Sequence, residues 1–140
     1  MREQKPIQVA HKSMFLSQYN IGDKIGFGGN SVVRCGVRKV GNHPVAIKVM
    51  NRRGLKPHQI KSVRNEVEIL KSLDHSNIVK FLDFFEEGDF SYLVTEHISG
   101  GELYDRIVAK SFYDETQAKV LFETLLKAVK YLHDRKIVHR

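Results

Sequence analysis

The chain has one cysteine, Cys35, in 140 residues, so an internal disulfide is impossible and a reducing compartment fits. As a small residue in a valine-rich stretch, Cys35 reads as packing. No apolar run approaches the length needed to cross a bilayer, and residues 1–20 lack the apolar block of a secretory signal. These absences point to a protein of the cytoplasm, with the nucleus also open, and to no membrane partner. Internal repeats and low-complexity segments are missing as well. Acidic residues are the scarcer charge, 16 against 23 Lys and Arg, for a net +7. Such a balance suits nucleic acid or phosphorylated ligands. However, the densest basic group, Arg52, Arg53, Lys56, Lys61 and Arg64, has no interleaved aromatic to stack on bases, which argues against a nucleic-acid site.

What is present is enough for one domain with a core: 41% of residues are apolar and 28% charged. Residues 1–18 show no sustained periodicity and read as a flexible leader. A strand is expected over 19–25, leading into Ile25-Gly26-Phe27-Gly28-Gly29-Asn30-Ser31. Three glycines within four positions make a loop able to present backbone amides to phosphate oxygens, through close approach or positive φ. The loop lacks the Gly-Lys-Ser/Thr of a P-loop, and the chain continues into Val32 to Val37, rich in β-branched residues. A glycine loop joining two strands is therefore expected, rather than one opening a helix.

After a turn at 41–44 comes Val45-Ala46-Ile47-Lys48-Val49-Met50. Strand alternation puts Val45, Ile47 and Val49 on one face and Ala46, Lys48 and Met50 on the other. A lysine in an apolar strand costs stability unless its ammonium reaches an anion, either a bound phosphate or a carboxylate from a nearby helix. The next helix, expected over 57–73, carries Ile60, Val63, Val67, Ile69, Leu70 and Leu73 as its apolar stripe, with Glu66 inside it. A carboxylate on a buried face needs a cation, and Lys48 is the candidate. Strands over 78–85 and 91–96, joined by the turn at 86–89, bring the count to five strands and one helix before Ile98. A hinge-like Ser99-Gly100-Gly101 precedes a short helix over 102–109. A longer helix begins at Asp114, which forms a capping-box-like pair with Gln117. Its apolar face is Ala118, Leu121, Phe122, Leu125, Val129 and Leu132.

The ordered set of glycine loop, Val-Ala-Ile-Lys strand, helix glutamate, Gly-Gly-Glu-Leu after a hinge and Val138-His139-Arg140 resembles the eukaryotic protein kinases from Tyr19 to Arg140. Among these it is most similar to the serine/threonine kinases of the calcium/calmodulin-dependent and calcium-dependent group. The resemblance implies an α+β fold: a protein-kinase-like small lobe over 19–97, with a five-stranded antiparallel sheet and one main helix, then a hinge and the first two large-lobe helices over 98–140. It also implies ATP and magnesium as cofactors and protein serine or threonine hydroxyls, some beside basic residues, as substrates.

By that resemblance Ile25, Val33 and Ala46 cover the adenine, and Gly26, Phe27, Gly28, Gly29, Asn30 and Ser31 form the phosphate flap. Ser31 stands where a third glycine is usual, and Asn30 where an aromatic is. Lys48 holds the α and β phosphates with Glu66 orienting it. Thr95 guards the back of the pocket, the backbone of Glu96 and Ile98 meets the adenine edge, and Glu102 contacts ribose. An N-terminal helix acid favoured by the dipole accounts for Glu102 equally well.

In the family an aspartate that positions the substrate hydroxyl comes directly after His-Arg, and magnesium ligands come later. None is among these 140 residues; the aspartate would follow Arg140. The expectation is a truncated kinase domain, inactive by itself, with a non-catalytic nucleotide-binding or decoy module as the alternative. No calmodulin-binding segment is evident, so calmodulin is not an expected partner.

Overall fold

A computed structural model describes residues 13–29, 31–110 and 112–139. Chain order is α1 (Met14–Gln18), β1 (Tyr19–Gly28), β2 (Ser31–Arg38), β3 (His43–Asn51), α2 (Pro57–Lys71), β4 (Phe81–Glu87), β5 (Phe90–Glu96), α3 (Leu103–Lys110) and α4 (Glu115–Asp134). The strands form one antiparallel sheet in the order β1-β2-β3-β5-β4. Its hairpins are short because the turn residues take left-handed backbone: Gly41 and Asn42 between β2 and β3, and Gly88 between β4 and β5. The β4–β5 turn is tighter than the expected 86–89, since Glu86 and Glu87 remain in the ladder opposite Ser91 and Phe90.

Strand β3 lies in the middle and is covered on both faces. Val45 and Ile47 are fully buried with Val94 of β5, Phe15 and Tyr19. On the other face Met50 packs with Leu93 and with Val67 of α2. This is the alternation expected from the sequence, with Lys48 on the Met50 face. Gly36 is required here by close approach: a Cβ would overlap Ile47 Cδ1 and lie 2.6 Å from the Asn20 carbonyl oxygen.

The flexible leader expected over 1–18 is corrected over its last residues; residues 1–12 lie outside the described ones. Ser13 caps α1, accepting from Leu16 N at 3.0 Å and donating to Glu87 Oε2 at 2.5 Å. Phe15 N donates to Glu87 Oε1 at 2.8 Å, and the chain is tied again where Lys39 Nζ donates to the Leu16 carbonyl at 2.6 Å. The Phe15 ring stacks on Tyr92 at 4.1 Å and on Tyr19 at 5.7 Å. Tyr19 OH donates to Asp83, and burial together with this carboxylate pushes its pKa up to about 12. A five-residue helix has too few turns to show a period and too few bonds to stand alone, so packing on the sheet decides its existence.

Helix α4 starts as expected, with Asp114 Oδ1 accepting from Gln117 N at 2.8 Å. The Gln117 side chain does not complete a box; it accepts from Lys110 Nζ at 2.6 Å and so ties α4 to α3. Against the small lobe, Tyr131 OH accepts from Asp74 N at 2.9 Å and its ring lies 4.8 Å from His75. Of the expected apolar face, Leu121, Val129 and Leu132 are half-buried, whereas Ala118, Phe122 and Leu125 are exposed.

Two outcomes test this packing. Phe15→Ala, which empties a fully buried aromatic site, is expected to cost about 3 kcal/mol in a urea titration followed by circular dichroism; a loss below about 1 kcal/mol would mean that α1 is not part of the core. Burial works to raise the Glu87 pKa, but hydrogen bonds from Ser13 Oγ and the Phe15 and Met14 amides outweigh it and hold the carboxyl below its ordinary value. Its stabilisation is therefore complete above the unfolded-state pKa and lost as pH falls through the lower folded value. Glu87→Gln should flatten the acid limb of the stability profile, and an unchanged limb would show that Glu87 carries none of it.

Candidate functional site

The cleft face of the sheet is built by register. Lys48 lies between Val33 of β2 and Leu93 of β5, and two residues back Ala46 lies between Cys35 and Thr95. Paired and alternate residues share a face, so Val33, Ala46, Lys48 and Thr95 line one continuous surface. Gly26 is opposite Val33 and Gly28 opposite Ser31, which carries the β1–β2 hairpin over that surface as a flap. The loop joins two strands, as the residues after it require. Asn30, expected at its tip, lies outside the described residues.

Beneath the flap, Lys48 Nζ donates to Glu66 Oε1 at 2.8 Å. Helix α2 brings the carboxylate there by burying Val67 against Met50 and Leu93, which leaves Glu66, about 100° round the helix, directed at β3. The buried position expected for Glu66 is corrected: its side chain is 48% exposed and that of Lys48 32%. Ile69, expected on the stripe, is 41% exposed. The reason is that α2 packs through the narrow line Val63, Val67 and Leu70, and Ile69 lies about 200° from Val67. The pair forms the wall of an open cleft, where solvent leaves the ammonium and carboxylate accessible to a ligand.

A cleft of about 510 Å³ brings together Phe27, Gly28, Gly29, Ser31, Val33, Lys48 and Glu66. Met50, Leu55, Gln59 and Val63 also line it and were missed in the sequence. The spacing of 59, 63 and 66 marks one face of a helix and could have revealed Gln59. None of Gly26, Gly28 and Gly29 has positive φ, and of the three only Gly28 is crowded by the chain. A Cβ on Gly29 would meet nothing within 4 Å, whereas one on Gly28 would overlap Ser31 Oγ.

Ala46 and Thr95, paired in register, lie beyond this cleft towards the connection to α3. Ile25 is 51% exposed and Ile98 64%. Thr95 Oγ1 donates to the Glu96 carbonyl at 3.2 Å, and Glu96 N donates to Lys80 O at 3.0 Å. The Glu96 amide is thus occupied, and its carbonyl already accepts from the Thr95 hydroxyl with one lone pair to spare. The Glu96 side chain accepts from Lys80 N at 2.7 Å, holding the connection against the start of β4. Gly101 has φ +71, a backbone that other residues rarely adopt, and Glu102 comes next at the start of α3, where its carbonyl accepts from Arg106 N at 3.2 Å.

Because both partners are substantially solvated, the Lys48–Glu66 pair contributes little to folding. A double-mutant cycle with Lys48→Ala and Glu66→Ala should give a coupling below about 1 kcal/mol in denaturant unfolding. A larger coupling would assign the pair a structural role in place of a ligand-facing one.

Comparison with known proteins adds an independent observation. The family model described as "Protein kinase domain" matches residues 19–140. The chain is 42% identical over 134 residues to a calcium/calmodulin-dependent protein kinase type I of Schizosaccharomyces pombe, covering 94% of this chain and 40% of that protein. It is 39% identical over 122 residues to myosin light chain kinase A of Dictyostelium discoideum, covering 87% of this chain and 41% of the relative. Among solved structures, Rad53 1-466 in complex with AMP-PNP superposes with a TM-score of 0.77 at 28% identity, covering 89% of this chain and 33% of the other. The chain spans about two fifths of the length of these two curated relatives.

Proposed function

This chain belongs to the protein kinase domain family, and from that premise we propose that it is the ATP-binding part of a serine/threonine kinase, with the small lobe over 19–97 and the large lobe beginning at Ile98. The observation that carries the reading is the 2.8 Å contact of Lys48 Nζ with Glu66 Oε1 beneath a glycine flap that joins two strands. The serine/threonine assignment is supported by the relatives, which are calcium/calmodulin-dependent and myosin light chain kinases.

The residues present fit a nucleotide. In this reading Val33, Ala46 and Ile25 offer apolar surface to the base, the Glu96 carbonyl and Ile98 backbone offer hydrogen-bonding groups to its edge, and Thr95 leaves the back of the site narrow but open. Glu102, beside the α3 N-terminus, is placed for ribose. Lys48 attracts phosphate oxygens, and Glu66 limits the rotamers of that long side chain, so that less freedom is lost on binding. Gly26, Phe27, Gly28, Gly29 and Ser31 form the flap that excludes water from the phosphates, the part for which the sequence also nominates Asn30. ATP supplies the transferable phosphoryl group, and in the family magnesium neutralises charge upon it. Among the described residues no three His, Cys, Asp or Glu side chains gather to hold a metal ion. Lys48 neither places a substrate hydroxyl nor holds magnesium, and the 140 residues alone are expected to bind nucleotide without transferring phosphate.

Thermal unfolding tests the binding half of this reading. ATP at a hundred times its Kd should add about 2.7 kcal/mol of stability, and Lys48→Ala should remove most of the shift; no nucleotide-dependent shift in the unsubstituted chain would overturn the assignment. For catalysis, the chain joined to the second half of a related kinase domain should phosphorylate a serine peptide in the presence of magnesium. Lys48→Ala should abolish that activity, and an undiminished rate would refute the role given to the lysine. Nucleotide protection with no labelled product from the joined protein would favour the non-catalytic module.

A further inference from the structure

The sheet face opposite Lys48 is only half covered. Helix α1 closes the part over Val45, Ile47 and Val94. Beyond it a groove of about 620 Å³ stays open, floored by Val32, Val49 and Tyr92, which are paired in register across β2, β3 and β5. A ladder of rings leads into it: Tyr19 stacks on Phe15, Phe15 on Tyr92, and Phe90 lies 6.4 Å from Tyr92 with 40% of its surface exposed. A further ring seated on the floor would extend this series, gaining area and favourable ring geometry.

Charge identifies the kind of occupant. Arg34 carries the only charge among the described residues lining the groove. Its Nε donates to the Gly22 carbonyl at 2.9 Å, and no described carboxylate lies within 4.0 Å of it. At the rim, Lys24 Nζ lies 3.3 Å from the centroid of the Phe27 ring, which is 78% exposed. This positive rim disfavours a second copy of a chain of net charge +7. It also disfavours residues 1–12, which carry Arg2, Lys5 and Lys12 against Glu3.

We propose that this groove docks a short acidic segment of a partner protein, with an aromatic side chain on the Val32–Val49–Tyr92 floor and a carboxylate against the Arg34 guanidinium. The floor of the site is on the opposite face from Lys48, while its rim shares Phe27, Gly28, Gly29 and Ser31 of the flap with the cleft. Such an anchor, buried in a pocket and flanked by a charge-assisted bidentate contact, is where binding energy concentrates in protein interfaces.

A random peptide library displayed on phage, selected against the full chain, provides the test, with synthesised winners titrated by fluorescence polarisation. The expected winners combine one aromatic residue with flanking Asp or Glu. Their Kd should rise about tenfold in Arg34→Glu, less in Arg34→Gln, and rise beyond the measurable range in high salt. The glutamine variant keeps the test decisive should the glutamate variant fail to fold, and Leu125→Lys on α4 should leave binding unchanged. No winners, winners without acidic bias, or winners insensitive to both Arg34 variants would overturn the proposal. So would tighter binding after removal of residues 1–12, or sedimentation showing that copies of the chain cover the groove themselves.

Discussion

Everything in the small lobe depends on β3 being buried from both sides. A strand in the centre of a sheet must satisfy its backbone through both neighbours and find an apolar cover for each face. Helix α1 and the aromatic ladder supply one cover; α2 supplies the other. The second cover stops short of Lys48. There the helix offers a carboxylate in place of an apolar side chain, and the sheet opens into a cleft. The functional reading is thus a consequence of where packing ends: an ammonium fixed by a central strand, half-solvated and held in place by a residue on the covering helix.

The same reasoning connects the N-terminal segment to the site. Glu87 closes the open N-terminus of α1, and Phe15 enters the face of the sheet opposite the cleft. Deleting that ring would remove cover from Ile47, the neighbour of Lys48 in the strand, so the precision of the lysine's position is tied to residues distant from any ligand. Where this cover stops, Arg34 and the exposed rings leave the opposite face with a chemistry of its own. The two faces of one strand therefore present two different surfaces, one carrying the Lys48–Glu66 pair and the other Arg34 among exposed rings.

The large-lobe helices are tied less firmly. Tyr131 holds α4 to the Asp74–His75 loop, while Phe122 and Leu125 face outwards. Apolar side chains at such spacing on one helix ordinarily meet another element. After β5 the positive φ of Gly101 turns the chain so that Glu102 begins α3.

By itself the sequence determined what local chemistry dictates: the five strands, α2 and α4 with its Asp114 cap, the alternation of β3, and a glycine loop joining strands. It also determined the partnership of positions 48 and 66, because a charge in an apolar strand and an acid within an apolar stripe restrict each other's options. Only the tertiary structure decided that residues 14–18 are a helix, since five residues carry no readable period and Glu87, more than seventy positions away, accepts from the Ser13 cap and the Phe15 amide. Tertiary packing also decided that Glu66 and Ile69 are solvated, because the width of a buried stripe depends on the curvature of the surface it meets. Leu55, which precedes α2, entered the cleft through the same packing, whereas Gln59 shares the helical spacing of Val63 and Glu66.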